Sequence, residues 1–274
     1  MRAEALSEVP LGQRVTVRHR LPDGGASDAV GHLTERTAEA VTLHTRRGPV
    51  QIRLRDVLVA RVVVAAVPWR VASFLRRAGV AVLDLDGVLR TFDTEGHVGR
   101  AADELGMEMR DLLELAFGLP EARAMLTGRS RHAEWMSALR TRLLTDTHPE
   151  DAVDRTLAAW LADRGTPLPH STDLVDELVA AGTPVFVFTN GTDRVPEELE
   201  HIGLGHLVPL LLNACDLGFA KPAPAAYAVA HAEIERRLGR AVGRAEVHFT
   251  DDRPTNVDAA RVFGWQARVF TPPA

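Results

Sequence analysis

The 274-residue sequence predicts an α/β protein with a doubly wound parallel sheet, a helical insert after the first strand, and a small all-β barrel at the N-terminus. Three observations predict this fold class. Short alternating strands fill residues 12–64, and an unbroken apolar run, V-A-V-L, then leads directly into Asp84. From Ser171 onward, apolar runs of strand length alternate with helical patterns, which is typical of a parallel sheet covered on both faces.

The N-terminal barrel is predicted from five short apolar–polar segments separated by turn residues and without a helical period between them. These segments are 15–20, 28–33, 40–45, 50–54 and 58–64, with turns at L-P-D-G-G and Arg47-Gly48. The pattern V-T-V-R-H-R-L-P-D-G…D-A-V-G-H-L…V-T-L-H-T-R-R-G resembles the small barrels of the SH3-like or Sm-like type. We therefore expect a barrel over residues 1–68, with the larger domain at 69–274 and the boundary near residues 66–72, where Pro68 ends a valine run.

The barrel's charge and aromatic content bear on its partners. Residues 1–70 carry 11 Arg and 7 acidic residues, a net charge of +4 that could face nucleic acid or another acidic partner. Residues 1–68 contain no Phe, Tyr or Trp on which bases could stack, which argues against nucleic acid. A structural or docking module is favoured, and a protein partner for the barrel stays open.

The helical insert follows the first strand of the larger domain and is expected at about residues 94–165, between core segments 79–93 and 166–274. Its apolar residues recur at three- and four-residue spacing, with turn breaks at Leu119-Pro120, Thr127-Gly128 and His148-Pro149. The predicted insert helices are 98–107, 109–117, 131–145 and 149–163. After the insert we expect helices at 172–181, 195–202, 223–237 and 255–263, and strands at 184–188, 207–212, 246–250 and 266–270.

Polar residues follow the apolar strands at points that should share one edge of the parallel sheet, where open α/β sheets bind ligands. Among 32 basic residues there is one lysine, at position 221, in a chain that otherwise uses arginine. An ammonium group differs chemically from a guanidinium group, so this exception is informative. The candidate site residues are Asp84, Asp86, Thr189, Asn190, Lys221, Asp251 and Asp252.

Four motifs carry a resemblance to the haloacid dehalogenase (HAD) superfamily over residues 79–272. They occur in the order D-L-D-G-V-L, F-T-N-G-T, K-P and F-T-D-D-R-P-T-N-V-D-A-A. Each alone is a weak signal, but all four in the correct order, each after an apolar strand, make a specific one. The resemblance implies a Rossmann-like core, with the helical insert acting as a cap that closes over the substrate and excludes water.

The resemblance also implies roles for the site residues. Asp84 would be the nucleophile that forms an aspartyl-phosphate, and Asp86 would be the general acid and then the base. Thr189, with the backbone N–H groups near Asn190, would bind the phosphoryl oxygens, and Lys221 would neutralise the developing charge. These assignments predict a catalytic set of four residues and a phosphate-binding set that includes Asn190.

The resemblance further implies a Mg²⁺ ion as cofactor, since Mg²⁺ prefers carboxylate and carbonyl oxygens. Its ligands would be Asp84, the backbone carbonyl of Asp86, and the pair Asp251 and Asp252. By alignment with the Gly-Asp-x-x-x-Asp form of the family's last motif, Asp252 matches the direct ligand and Asn256 falls at the last position of that form. Asp251 would then act through water.

Asp86 separates reaction types within the superfamily, because members that cleave carbon–halogen bonds lack an acid at that position and need no metal. The chain most resembles phosphatases of small sugar phosphates, so we expect a small phosphorylated metabolite as substrate. A phosphomutase of the same superfamily and a regulatory protein that binds a partner through its barrel are the alternatives. The polar cap residues Arg129, Arg131, His132 and Trp135 lie on or before one helix, where they could face the substrate, but a surface or core role is favoured for each. His248 is expected as a packed core residue.

Composition excludes other classes of protein and site. No apolar run approaches the roughly 18–20 residues of a membrane span, and the N-terminal residues have no apolar signal core. The single cysteine, Cys215, excludes an internal disulfide and a cysteine-built metal site. We therefore expect a cytoplasmic protein; the sequence does not indicate its oligomeric state.

Overall fold

The computed structural model consists of two compact units, residues 1–65 and residues 66–274. The structure describes residue 6 and residues 9–21, 24–45, 48–62, 69–92 and 97–271. The predicted domain boundary at residue 68, the break at Pro68 and the turn residue Arg47 lie outside the described residues. The exact boundary stays a prediction.

The N-terminal unit is an antiparallel sheet of five strands in the order β4-β3-β2-β1-β5. Alternate residues of these strands, among them Val15, Val17, Leu33 and Ile52, bury one apolar core. The strand β2 is longer than predicted, because it continues through a register shift between Leu33 and Glu35. The strands are β1 (Arg14–Arg20), β2 (Ala26–Arg36), β3 (Ala40–Thr45), β4 (Gly48–Arg53) and β5 (Val57–Val62), which confirms the predicted all-β unit.

The larger unit contains a parallel sheet of five strands and a separate two-stranded ribbon. Its strands are β6 (Val80–Leu83), β7 (Arg90–Thr91), β8 (Thr166–Pro167), β9 (Val185–Thr189), β10 (Leu211–Asn213), β11 (Val247–Asp251) and β12 (Gln266–Val269). The parallel sheet has the order β10-β9-β6-β11-β12, which places β6 in the middle. Every residue of β6 and β9 is buried, as expected of central parallel strands.

Helices cover both faces of this sheet and form the insert. They are α1 (Trp69–Leu75), α2 (His97–Glu104), α3 (Met109–Gly118), α4 (Pro120–Leu126), α5 (His132–Thr145), α6 (Glu150–Ala162), α7 (Pro169–Ala180), α8 (Val195–His201), α9 (Ala214–Leu217), α10 (Pro224–Leu238) and α11 (Pro254–Phe263). Side chains of α1, α7 and α8 pack on one face of the sheet, and those of α10 and α11 pack on the other. Helices α2–α6 bury an apolar core of their own, which confirms the helical insert.

Several predicted elements were wrong or incomplete. The strand predicted at 207–212 is shorter than expected: residues 207–210 belong to a 3-10 helix (Gly205–Leu210) that contains Pro209, and only Leu211–Asn213 is strand. Proline has no N–H to donate to a sheet ladder, which explains the shorter strand. The predicted break at Leu119-Pro120 is present between α3 and α4, but α4 itself was not predicted; it begins at Pro120, because proline fits the first turn of a helix.

The ribbon of β7 and β8 connects the insert to the core. Its two strands pair antiparallel, Arg90 with Pro167 and Thr91 with Thr166, where the chain leaves the core and where it returns. The sequence analysis did not predict this ribbon, because two-residue strands have no periodic pattern. Among the helices of the described residues, none combines the length and apolar character needed to cross a membrane.

Candidate active site

The predicted site residues lie together at the carboxyl edge of the parallel sheet. Asp84 directly follows the central strand β6, and its backbone N–H donates to the Thr250 carbonyl of β11 at 2.9 Å. Thr189 ends β9 and Asp251 ends β11, on the two strands that flank β6. Asp84, Thr189, Asp251 and Lys221, which follows no strand directly, are all buried. The site is therefore built by strand ends, as the sequence predicted.

Lys221 lies at the centre of the site with its ammonium group fully engaged. Its Nζ donates to the Phe188 carbonyl at 2.7 Å and to Asp251 Oδ2 at 2.7 Å, and it lies 2.9 Å from Asp84 Oδ1. Burial alone would lower the pKa of Lys221, but the two carboxylates outweigh it and the pKa is raised. The lone lysine of the chain is thus a buried cation between two buried acids.

Asn190 holds Lys221 in place. Its side-chain Nδ2 donates to the Lys221 carbonyl and its Oδ1 accepts the Lys221 N–H, both at 2.8 Å. The Asn190 side chain is therefore engaged with the backbone that carries the lysine, and the prediction for this residue concerned the backbone N–H groups near it. Phosphate binding at this position stays a prediction, and the backbone N–H groups near Asn190 would have to provide it.

Asp251 is completely buried and both of its carboxylate oxygens have partners. Oδ1 accepts the Arg253 N–H at 2.8 Å, and Oδ2 accepts from Lys221. The Asn256 amide nitrogen lies 3.1 Å from Oδ1 and 3.0 Å from Oδ2. Tyr227 in turn donates its hydroxyl to the Asn256 carbonyl at 2.7 Å. Asn256 thus fixes the orientation of Asp251.

Three carboxylates crowd together beside Lys221. Asp84, Asp251 and Asp252 each offer an oxygen, and these oxygens lie within 4.8 Å of one another. Burial raises the pKa of Asp84 to about 8, and the neighbouring Asp251 adds to the effect while Lys221 opposes it. Burial and Asp251 also raise the pKa of Asp252. Such a cluster of oxygen donors suits a hard divalent cation, so these residues fit the predicted Mg²⁺.

Gly87 allows Asp252 to approach the turn that follows Asp84. Its φ is +80°, a backbone conformation that L side chains rarely adopt. A Cβ at this position would collide with the Asp252 carboxylate. The glycine of the D-L-D-G-V-L motif is therefore required by both the turn and the carboxylate cluster.

Asp86, the predicted acid, is oriented by a buried arginine that the sequence analysis did not identify. Arg90 Nε donates to Asp86 Oδ1, while the Arg90 side chain is 3% exposed and that of Asp86 is 44% exposed. Arg90 Nη1 also donates to Glu198 Oε2 at 2.9 Å and to the Arg164 carbonyl at 3.2 Å. Arg90 lies in β7 at the base of the insert, so one side chain connects Asp86, helix α8 and the chain returning from the insert.

A cavity of about 350 Å³ lies between the core and the insert. The core contributes Asp86 and Asn190 with the neighbouring Gly191 and Thr192. The insert contributes mostly apolar side chains: Met109, Leu113, Phe117, Met125, Leu126, Trp135 and Trp160. The predicted acid therefore faces a space that could hold a small ligand.

The four polar residues singled out in the insert divide into two pairs. Arg129 and Arg131 are exposed, whereas His132 and Trp135 are buried in the insert and line the cavity. Burial, aided by the Arg194 cation, lowers the pKa of His132 to about 4, so its ring is neutral near pH 7. His248 stacks on Phe74 with ring centroids 4.3 Å apart, as expected of a packing residue.

Comparisons with known proteins agree with this geometry. Residues 9–61 match the family described as the Rv0428c N-terminal Sm-like domain. An uncharacterized hydrolase of Schizosaccharomyces pombe is 30% identical over 82 residues, which cover 30% of this chain and 36% of that relative. This chain therefore matches only about a third of that curated relative's length.

Two solved structures share the fold of the larger unit. A dehalogenase solved with an intermediate complex is 25% identical, with a TM-score of 0.51, and the match covers 70% of this chain and 84% of that one. A HAD family enzyme from Bacteroides thetaiotaomicron, in complex with magnesium and inorganic phosphate, is 17% identical, with a TM-score of 0.54. That match covers 71% of this chain and 94% of the enzyme, and it shows the shared fold.

The family model of haloacid dehalogenase-like hydrolases matches residues 79–264. This range includes the carboxylate cluster, the buried lysine and the whole helical insert. It therefore covers about two thirds of the chain and every predicted site residue. The chain belongs to the haloacid dehalogenase-like hydrolase family.

Proposed function

We propose that this hydrolase is a Mg²⁺-dependent phosphatase that acts on a small phosphomonoester through an aspartyl-phosphate on Asp84. The observation that carries the proposal is that Asp84 and Asp86, two positions apart in the chain, lie in different environments. Asp84 is buried against Lys221, whereas Asp86 is half exposed and lines the cavity. A buried, cation-paired carboxylate suits a nucleophile, and an acid facing the substrate suits proton transfer.

The proposed reaction has two steps. In the first, an Asp84 carboxylate oxygen bonds to phosphorus, the bond between phosphorus and the ester oxygen breaks, and Asp86 gives its proton to the departing alkoxide. In the second, Asp86 takes a proton from a water molecule as that water attacks phosphorus, which releases phosphate and restores Asp84. Lys221 stabilises the charge on Asp84 and on the phosphoryl oxygens throughout.

The carboxylate cluster would hold the metal ion. Asp84, Asp252 and the Asp86 backbone carbonyl are the proposed direct ligands. Both oxygens of Asp251 already accept hydrogen bonds, which favours an indirect role for that residue. When bound, Mg²⁺ supplies positive charge that lowers the pKa of Asp84 and so keeps this nucleophile ionised, and that offsets the negative charge of the phosphoryl group.

The test compares wild type with Asp84→Asn and with Asp258→Asn, which changes an exposed aspartate of α11. Hydrolysis of p-nitrophenyl phosphate is measured with Mg²⁺ and with chelator, and a phosphoryl adduct is sought by mass spectrometry. We expect Asp84→Asn to lose at least about a thousandfold in turnover, because no covalent intermediate can form. Asp258→Asn should match wild type. Equal turnover in Asp84→Asn would contradict the proposed nucleophile.

Hydrolysis of a carbon–halogen bond is the second candidate. The largely apolar insert side of the cavity and the 25% identity to a dehalogenase structure favour it. Asp86 and the carboxylate cluster favour the phosphatase, since displacement of a halide needs neither a proton donor nor a metal. Halide release from 2-halo acids in chelator, unaffected by Asp86→Ala, would favour the dehalogenase. Metal-dependent phosphate release lost in Asp86→Ala would favour the phosphatase.

A further inference from the structure

We propose that the alcohol part of the substrate is a compact apolar or aromatic group and not a sugar. This inference rests on the proposed phosphatase function and narrows its substrate class. It follows from the chemistry of the cavity walls on the insert side. The sequence resemblance had suggested sugar phosphates, and the cavity argues for a different leaving group.

The insert presents an aromatic wall to the cavity. The ring centroids of Phe117 and Trp135 lie 5.1 Å apart, and those of Trp135 and Trp160 lie 5.7 Å apart, edge to face. The indole N–H of the buried Trp135 already donates to the Ala116 carbonyl at 2.8 Å, so it is not available to a ligand hydroxyl. Phe117 is 49% exposed despite its place among aromatic neighbours. A ligand ring packed here would remove that surface from water.

Apart from Arg253 on the core side, the charged side chains that line the cavity have partners within the protein. Arg90 donates to Glu198 at 2.9 Å, and the Arg194 Nε lies 3.8 Å from the same carboxylate. Asp163 accepts the Gly165 N–H at 2.9 Å. The hydroxyl groups of a sugar would lose water without gaining equivalent partners along the aromatic wall, which opposes binding.

The size of the cavity limits the group that can occupy it. A volume of about 350 Å³ is near the lower end of the range of about 300–1,000 Å³ that ligand cavities span. With the phosphate at the core side near Asp86, the remaining space suits one ring with a short chain. A larger leaving group would extend out of the cavity into solvent.

The test compares phosphate esters of primary alcohols, because similar leaving groups keep the chemical step comparable. We expect kcat/KM for 2-phenylethyl phosphate to exceed that for glucose 6-phosphate and glycerol 1-phosphate at least tenfold. Trp160→Ala should reduce this preference. Leu161→Ala, which changes the next residue of α6 and does not line the cavity, should leave the preference unchanged. Equal preference in wild type and Trp160→Ala would overturn the inference.

Failure of this inference can be distinguished from failure of the proposed function. Turnover that depends on the metal and on Asp84 but favours the sugar phosphate would overturn the inference, while the proposed phosphatase function would be retained. If no phosphomonoester is hydrolysed, the proposed phosphatase function is wrong. Binding of 2-phenylethanol, followed by tryptophan fluorescence, then tests whether the cavity recognises an apolar group. Saturable quenching weakened in Phe117→Ala and retained in Phe117→Leu would support it, whereas absence of quenching in wild type would overturn it.

Discussion

Replacing Lys221 with methionine tests whether charge pairing holds the site together. The substitution keeps an unbranched side chain of similar length but leaves Asp84 and Asp251 buried without the ammonium between them. Removing one partner of a buried ion pair costs about 3–5 kcal/mol. Asp251 keeps its bonds to Arg253 and Asn256, and Asp84 keeps the Leu85 N–H at 2.8 Å. We therefore expect a loss near the lower limit, about 3 kcal/mol in the free energy of unfolding.

The assay is urea unfolding followed by tryptophan fluorescence in chelator. All four tryptophans lie within residues 66–274, so the signal reports on the unit that contains the site. The double variant Lys221→Met/Asp251→Asn should recover at least about 1 kcal/mol, because burying a neutral amide costs less than burying an unpaired carboxylate. A loss below about 1 kcal/mol in Lys221→Met, or further loss in the double variant, would refute the reasoning.

Three further predictions concern the metal, pH and the acid. Gly87→Ala should weaken Mg²⁺ binding, measured by calorimetry, at least tenfold, because the added Cβ would collide with the Asp252 carboxylate. The control Gly182→Ala also changes a glycine of positive φ (+78°), but open space surrounds it, so Mg²⁺ affinity should not change. Between pH 6.5 and about 4 the unfolded chain protonates His132 and the folded chain does not, so stability should fall by up to about 3 kcal/mol as the pH drops. Urea unfolding at several pH values should show a flatter profile for His132→Gln. Arg90→Met should lower kcat about tenfold or more in steady-state assays with little change in KM, since the acid loses its orienting bond; unchanged kcat would contradict this.

The central sheet and the residues at its carboxyl edge could be predicted from the sequence. A strand buried on both faces must be apolar at every position, as in Val80–Leu83, so its end is marked by the first charged residue. Parallel topology then brings Asp84 and Asp251 to one edge, whatever their separation along the chain. The lone lysine stood out because the rest of the chain uses arginine.

The contacts that orient these residues could not be predicted in the same way. Arg90 and Glu198 are 108 positions apart, and the amide of Asn190 reaches the backbone of a residue 31 positions away. Periodicity reports which face of an element is buried, and it contains no information on which distant partner a buried polar group meets. The one local signal for Arg90 was an arginine in an otherwise apolar turn, V-L-R, four positions after the predicted acid.

The position of Arg90 makes the orientation of the acid depend on the base of the insert. Its guanidinium contacts Asp86 in the core, Glu198 in α8, and the Arg164 carbonyl where the chain returns from the insert. A displacement of the insert that moves Arg164 would therefore also move the group that holds Asp86. The apolar wall that would recognise the substrate belongs to the same insert. Substrate recognition and the orientation of Asp86 therefore both depend on the position of the insert. Asp84 and Lys221, in contrast, are held by hydrogen bonds to strands of the sheet.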